Sequence, residues 1–276
     1  MASLGNAHIT FIGGGTMAEA LARGILGRRL AAPGQITVSE PLAERRAQLA
    51  EALGVVVAEE NAEAARGADI VVLAVKPQVA AAAVPPLREA LRREALVLSI
   101  MAGVRIGTLE GMLGPIALVR AMPNTPGQVG EGITAWTRTP AVTDAQAEQA
   151  RTLLSALGDE VEVAGEDYVD MATALSGSGP AYVFLFLEAL VDAGVQMGLA
   201  RPVAERLALQ TVRGATVYAQ QSPLHLAVLR NMVTSPGGTT AEGLFALEQG
   251  GLRASVTQAV LASYRKARKL GGMDTA

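Results

Sequence analysis

The sequence predicts an α/β protein in two parts, a doubly wound parallel sheet followed by a region of helices alone. Three observations carry this reading. Short β-branched runs recur through the first half, helical patterns separate them, and turn residues bound each run. From about residue 165 the alternation stops and only helical periodicity remains. The expected division is therefore 1–165 and 166–276.

Taken in order, the strands are "HITFIG", "QITVSE", "GVVVA", "DIVVLAV", "ALVLSI" and "IALVRAM", with helical segments such as "MAEALARGILG" and "LAERRAQLAEAL" between them. Runs so continuously apolar belong to parallel strands covered on both faces. A further strand, "EVEVAG", precedes the boundary, and helices are expected over 179–198, 202–221, 224–233, 240–249 and 252–269. Half of the residues are hydrophobic but only 3% are aromatic, which suits closely packed Ala-rich helices and packing between subunits.

Composition excludes several classes of function. A net charge of -3 without a basic block argues against a nucleic-acid surface. With no cysteine, disulfides and thiolate metal sites are ruled out, and a reducing cytoplasm is the expected compartment. The two histidines, His8 and His225, are too few for a His-built metal centre, so no metal is expected. The apolar stretches "IVVLAV" and "AYVFLFLEALV" are too short or carry Glu188, so no membrane span is expected. "MASLGNA" lacks the charged start and apolar run of a signal peptide.

Chemistry first appears in "ITFIGGGTMAEALA". Gly13 and Gly15, with Ala18 in the third small position, follow a strand and open a helix, the context of a Rossmann dinucleotide fingerprint. Glu40, ending the second strand, stands where a carboxylate accepts the ribose 2′-hydroxyl of NAD, while Arg45 and Arg46 on the same rim would suit the phosphate of NADP. These residues leave both cofactors open. Lys76 and Pro77 close "VVLAVKPQ" at a strand's carboxyl end, where Pro also serves as simple punctuation. Asn124 in "RAMPNTPG" either presents its amide to a ligand or makes an Asx-turn. Ser178, Gly179 and Pro180 read as a helix start, as does Thr239 or Thr240 before "AEGLFALEQ". Capping requires only one hydroxyl, however. "SPGGTT" also strings backbone N–H groups over two glycines ahead of a helix, a nest that suits a carboxylate.

Together "FIGGGTMAEAL", "VVLAVKPQ", "RAMPNTP", "LSGSGPAYVF" and "VTSPGGTTAEGLFALEQGG" resemble the pyrroline-5-carboxylate reductase family, in order and over nearly the whole chain. The resemblance implies a Rossmann-like domain over 1–165, and over 166–276 an all-α domain for substrate binding and dimerisation. It implies reduction of Δ1-pyrroline-5-carboxylate to L-proline by NADPH, with NADH admitted because Glu40 departs from the family's smaller residue. Cofactor contacts carried over are Ile12, Gly13, Gly14, Gly15, Thr16, Met17, Glu40, Asn61, Ala74, Val75, Lys76, Pro77, Met101, Ala102, Gly103 and Asn124. For a small substrate with a carboxylate they are Glu166, Ser235, Gly237, Gly238, Thr239 and Thr240, the Thr240 hydroxyl facing the ring nitrogen as the catalytic group. The family forms homodimers, often assembled into rings of dimers. A second departure is the stretch "QQSPLHLAVLRNMV", longer than the family pattern between Pro223 and Leu229.

This chemistry agrees with what the chain lacks. Hydride reduction of a ketone leaves an alkoxide that needs a proton donor, whereas a cyclic imine enters already protonated and hydride transfer neutralises it. A related hydroxy-acid dehydrogenase would carry Lys and Asn on the first long helix, and residues 179–198 contain neither. A catalytically silent dinucleotide-binding regulator would show damage in "TSPGGTT", which is whole.

Overall fold

The computed structural model describes residues 4–273, so the first residues of "MASLGNA" lie outside it. Strands and helices alternate as β1 (Ile9–Ile12), α1 (Thr16–Gly27), β2 (Ile36–Ser39), α2 (Ala43–Leu53), β3 (Val56–Ala58), α3 (Asn61–Ala65), β4 (Ile70–Leu73), α4 (Ala80–Ala83), β5 (Leu96–Ser99), α5 (Ile106–Leu113) and β6 (Ala117–Met122). Then come β7 (Gly132–Arg138), α6 (Asp144–Ser155), β8 (Gly158–Glu162) and α7 (Glu166–Ala172). Helices α8 (Gly179–Gln196), α9 (Arg201–Gln221), α10 (Leu226–Met232), α11 (Thr239–Gln249) and α12 (Leu252–Leu270) follow.

The sheet has eight strands in the order β3-β2-β1-β4-β5-β6-β7-β8. Its core explains why the strands are apolar at every position. Ile70 and Val72 enter the cluster containing Leu21, Ile25 and Leu153, while Val71 and Leu73 enter the one containing Leu87 and Leu109. Alternate side chains thus bury on opposite faces. Fully burying each such side chain is worth about 1.5–3 kcal/mol.

One strand departs from the sequence reading. β7 runs antiparallel to β6, breaking the otherwise parallel sheet. Residues 123–131, built around the 3-10 turn Thr125–Val129, separate the two strands, and a parallel return needs a crossover of a dozen or more residues.

The chain forms two compact units, residues 1–178 with 263–276, and residues 179–262. The expected boundary at 165 lies inside the first, because Asp170 of α7 is ion-paired with Arg120 of β6. "LSGSGP" does open a helix, since α8 begins at Gly179 after a bend at Ser178. A π-turn, Thr173–Gly177, joins α7 to α8 in a continuous run from Glu166 to Gln196. Pro180 has no N–H for the Ser176 carbonyl four residues back, and the Asn124 amide donates there instead, at 3.1 Å. Because of this join, the run is long and apolar enough to cross a membrane by length and composition, unlike the separate stretches read in the sequence.

In the second unit α8 and α9 bury only Val191, Ala204 and Ala208. Gly194 permits their close approach, since a Cβ there would lie 2.9 Å from that of Ala204. Most other apolar side chains are open, including Phe184 (61% exposed), Leu185 (67%) and Phe245 (60%). Residues 223–229 take in the α9–α10 connection and the first turn of α10, and His225 caps α10 by accepting the Ala227 N–H at 3.1 Å.

Arg29, just past α1, is the one described non-glycine residue with positive φ, at 55°. The Leu30 N–H bonds back to Ile25, so the helix ends in a left-handed residue where glycine is favoured. Its side chain is exposed and has no partner among the described residues. Arg29→Gly should therefore raise the unfolding free energy by about 0.5–1 kcal/mol, the left-handed penalty less the added freedom of the unfolded chain. Urea unfolding would measure the gain.

Candidate functional site

Strand order reverses between β1 and β4, which opens a crevice at the carboxyl ends of the strands. Ile12 ends β1 fully buried, and the chain turns at Gly13, whose φ is 98°. A Cβ on Gly13 would lie 2.9 Å from Val75 Cγ1 and 3.1 Å from the Ala74 carbonyl oxygen, so the turn needs glycine for itself. Gly14 is buried against Leu49 and Glu40. Gly15 differs. It is the N-cap of α1 with ordinary extended backbone, and nothing lies within 4 Å of the position of its Cβ. No described side chain caps α1, so N–H groups of its first turn, at Thr16 and Met17, are left for an anion.

The other expected cofactor residues ring this turn. Glu40 follows β2, its Oε2 accepting the Gly14 N–H at 3.1 Å. Asn61 begins α3, where Ser39 Oγ donates to its Oδ1 at 2.7 Å. Ala74 and Val75 follow β4 half-buried, and Lys76 caps the 3-10 turn opened by Pro77. Lys76 is exposed, with no partner among the described residues. Met101 to Gly103 follow β5. The Met101 side chain is 2% exposed within the core, so only the backbone of this loop is open to a ligand. Gly103, at φ 74°, lies against Leu270 near the end of α12.

Two expected ligand groups are committed to the protein. Asn124 Oδ1 accepts the Ile133 N–H at 3.0 Å while its Nδ2 donates to Ser176, so its amide fastens β6, β7 and the π-turn. Glu166 Oε1 accepts the Ile106 N–H at 2.8 Å and an Arg120 Nη1 proton at 3.1 Å, and its Oε2 lies 3.5 Å from Arg105 Nε. This carboxylate caps α5 and anchors α7. Burial works against the charged form of Arg105, but a hydrogen bond to Asp167 with Glu166 and Asp170 nearby raises its pKa above the usual value. Arg105, Arg120 and Asp170 are absent from the residues the sequence singles out. A lone arginine inside "IALVRAM" is the available signal, since a charge in a buried strand requires a partner.

In the second unit the "TSPGGTT" loop has Gly237 at φ 66°, and the Gly238 N–H turns back to the Ser235 carbonyl at 3.1 Å. A Cβ on Gly238 would lie 2.3 Å from Ser235 Oγ and 3.2 Å from the Ser235 carbonyl oxygen, so glycine lets the serine hydroxyl keep this position. Gly238 is also the N-cap of α11, so Thr239 and Thr240 are its first helical residues and neither caps it. Their hydroxyls and that of Ser235 are exposed, with no hydrogen-bond partner among the described residues. This loop therefore offers N–H and hydroxyl groups to an anion.

A glycine turn at the switch point of such a sheet, with an uncapped helix N-terminus over it, defines a Rossmann-type dinucleotide-binding protein. Residues 8–103 match the family described as NADP oxidoreductase coenzyme F420-dependent, and residues 166–270 match pyrroline-5-carboxylate reductase dimerisation. A relative from Pseudomonas aeruginosa called pyrroline-5-carboxylate reductase is 44% identical, covering 95% of this chain and 96% of its own. The solved pyrroline-5-carboxylate reductase from Coxiella burnetii is 38% identical and superposes with a TM-score of 0.90 over 98% of this chain and 100% of its own. The pyrroline carboxylate reductase of Plasmodium falciparum, solved with NADP bound, is 34% identical with a TM-score of 0.88, covering 96% and 98%. The chain belongs to the pyrroline-5-carboxylate reductase family.

Proposed function

We propose that the chain reduces Δ1-pyrroline-5-carboxylate to L-proline with NAD(P)H, the last step of proline biosynthesis. The observation that carries this reading is the loop Ser235 to Thr240, whose Gly237, Thr239 and Thr240 N–H groups and Ser235, Thr239 and Thr240 hydroxyls form a carboxylate cradle in a chain that also has an open glycine turn. Gly15 and the first turn of α1 would hold the pyrophosphate of the dinucleotide, and the open space at Gly15 fits that group. Ala74 to Pro77 and the backbone of Met101 to Gly103 would line its nicotinamide half. When bound, the cofactor supplies the hydride that reduces the imine carbon.

The chain's own part is binding and orientation. The N–H groups of Gly237, Thr239 and Thr240 and the Ser235 and Thr239 hydroxyls take the substrate carboxylate. The Thr240 oxygen accepts the N–H of the protonated imine and fixes the ring, so no acid of tuned pKa is required. Residues 1–165 are assigned to dinucleotide binding and 166–276 to substrate binding and self-association. The open apolar faces of α8, α9 and α11 are covered by a second copy, giving a homodimer or a ring of dimers. On this reading the long helical run lies in a protein interface and not in a membrane. A cytoplasmic location and the lack of a nucleic-acid partner go with the cysteine-free, net acidic composition.

The direct test mixes purified protein, reduced cofactor and pyrroline-5-carboxylate and follows the fall in nicotinamide absorbance. A hydrogen bond to a charged group is worth about 1.5–3 kcal/mol, so Thr240→Ala should lower kcat/KM by roughly ten- to more than a hundred-fold with the fold intact. An unchanged kcat/KM would remove Thr240 from the mechanism.

A further inference from the structure

The rim beside Gly14 is a closed set of charges. Glu40 Oε2 accepts the Gly14 N–H and its Oε1 the Leu42 N–H, both at 3.1 Å, so the carboxylate is folded onto the glycine turn at the end of β2. In a Rossmann sheet the adenosine ribose lies at that point. Two arginines stand near enough to serve a phosphate there, but each already donates three of its five N–H groups to protein acceptors. Arg45 Nε donates to the Gly14 carbonyl at 2.9 Å, its Nη2 to Glu19 at 2.6 Å and its Nη1 to Gln48 at 3.4 Å. Arg46 Nη1 donates to the carbonyls of Glu40 and Pro41 at 2.7 and 2.8 Å, and its Nη2 to Glu59 at 2.7 Å. Glu59 is itself exposed, so the two carbonyls are the firmer hold on Arg46. Arg23 and Arg45 together keep the Glu19 carboxyl below its ordinary pKa, so Glu19 stays ionised and keeps its grip on Arg45.

We infer that this rim selects an unphosphorylated adenosine ribose: Glu40 receives the ribose hydroxyls, Glu19 withholds Arg45 from a 2′-phosphate, and NADH is accepted alongside NADPH and bound more tightly. The inference rests on the dinucleotide reading above. It assigns specificity to Glu19 as well as Glu40. A 2′-phosphate would bring up to two negative charges beside Glu40, where the guanidinia of Arg45 and Arg46 are both turned to protein acceptors.

Calorimetric titration with NAD+ and NADP+ tests it without turnover. The wild type should bind NAD+ about tenfold more tightly. Glu40→Ser should move the ratio of the two affinities toward NADP+ by about tenfold or more, and Glu19→Gln, which releases Arg45, should move it the same way. Glu19→Gln carries the test if Glu40→Ser fails to fold. Tighter binding of NADP+ by the wild type, or a ratio unmoved by the substitutions, overturns the inference and leaves the dinucleotide site standing. Failure to bind either nucleotide overturns the site and the inference together.

Discussion

Asp170→Ala should destabilise the first unit by about 3–5 kcal/mol, the cost of leaving a buried charge without its partner. Arg120 and Asp170 are each 1% exposed, and Arg120 Nη2 lies 2.5 Å from Asp170 Oδ1. Arg120 Nε already lacks a partner, so the guanidinium has no donor arrangement to fall back on. After the substitution only Glu166 would face Arg120, at 3.1 Å, and Arg105 would lose its 3.4 Å contact with Asp170. Trp136 is the only tryptophan, fully buried in β7 opposite Ala121 of β6, so its fluorescence in urea reports this region directly. Pairing Asp170→Leu with Arg120→Leu should recover most of the loss, because removing both charges abolishes the desolvation penalty that one alone incurs. A loss below about 1 kcal/mol for Asp170→Ala would mean that water reaches Arg120 and that the ion pair does not hold α7 to the sheet.

That pair also marks the limit of what the sequence reveals. Arg120 and Asp170 are 50 residues apart, and nothing local to "IALVRAM" or "YVDMA" names the other. The glycine turn is legible because its constraints are local: Gly13 must turn within a few residues of the strand it follows. The parallel strands are legible because burial on both faces demands an apolar side chain at every position, as in "IVVLAV". β7 escapes for the converse reason. "GITAWTR" mixes polar with apolar positions, and its direction is set by the short turn before it and not by its own residues. The start of α8 is legible because Gly and Pro at 179 and 180 ordinarily open helices, but the π-turn that precedes it is not. The donor that relieves Pro180, Asn124, is 52 residues from the carbonyl it serves. Glu166 and Asn124 read as ligand groups for the same reason, since a polar side chain's protein partners are invisible until the chain has folded.

Gly15→Asp should separate the two uses of glycine in the turn, leaving the protein folded and slightly more stable while abolishing dinucleotide binding. Gly15 sits at the N-cap of α1 with φ -69° and ψ 178°, a backbone any residue can adopt. Aspartate is among the best residues for that position and exceeds glycine by a few tenths of a kcal/mol, because its carboxylate accepts an N–H from the first turn. A chain shaped by helix stability alone would place a capping side chain there. The open space at Gly15 and the uncapped N–H groups of α1 together leave room for a phosphate. The introduced carboxylate would take those N–H groups and set a negative charge against the pyrophosphate. Two unit charges about 4 Å apart at an effective dielectric of ~20 repel by ~4 kcal/mol, so affinity should fall about a thousandfold. Thermal unfolding and calorimetric titration of the same variant make the comparison. Stability retained with binding lost identifies Gly15 as a ligand-facing glycine, unlike Gly13, whose alanine variant should lose stability first because its Cβ would press on Val75. Near-normal binding by Gly15→Asp would mean that the phosphates lie elsewhere.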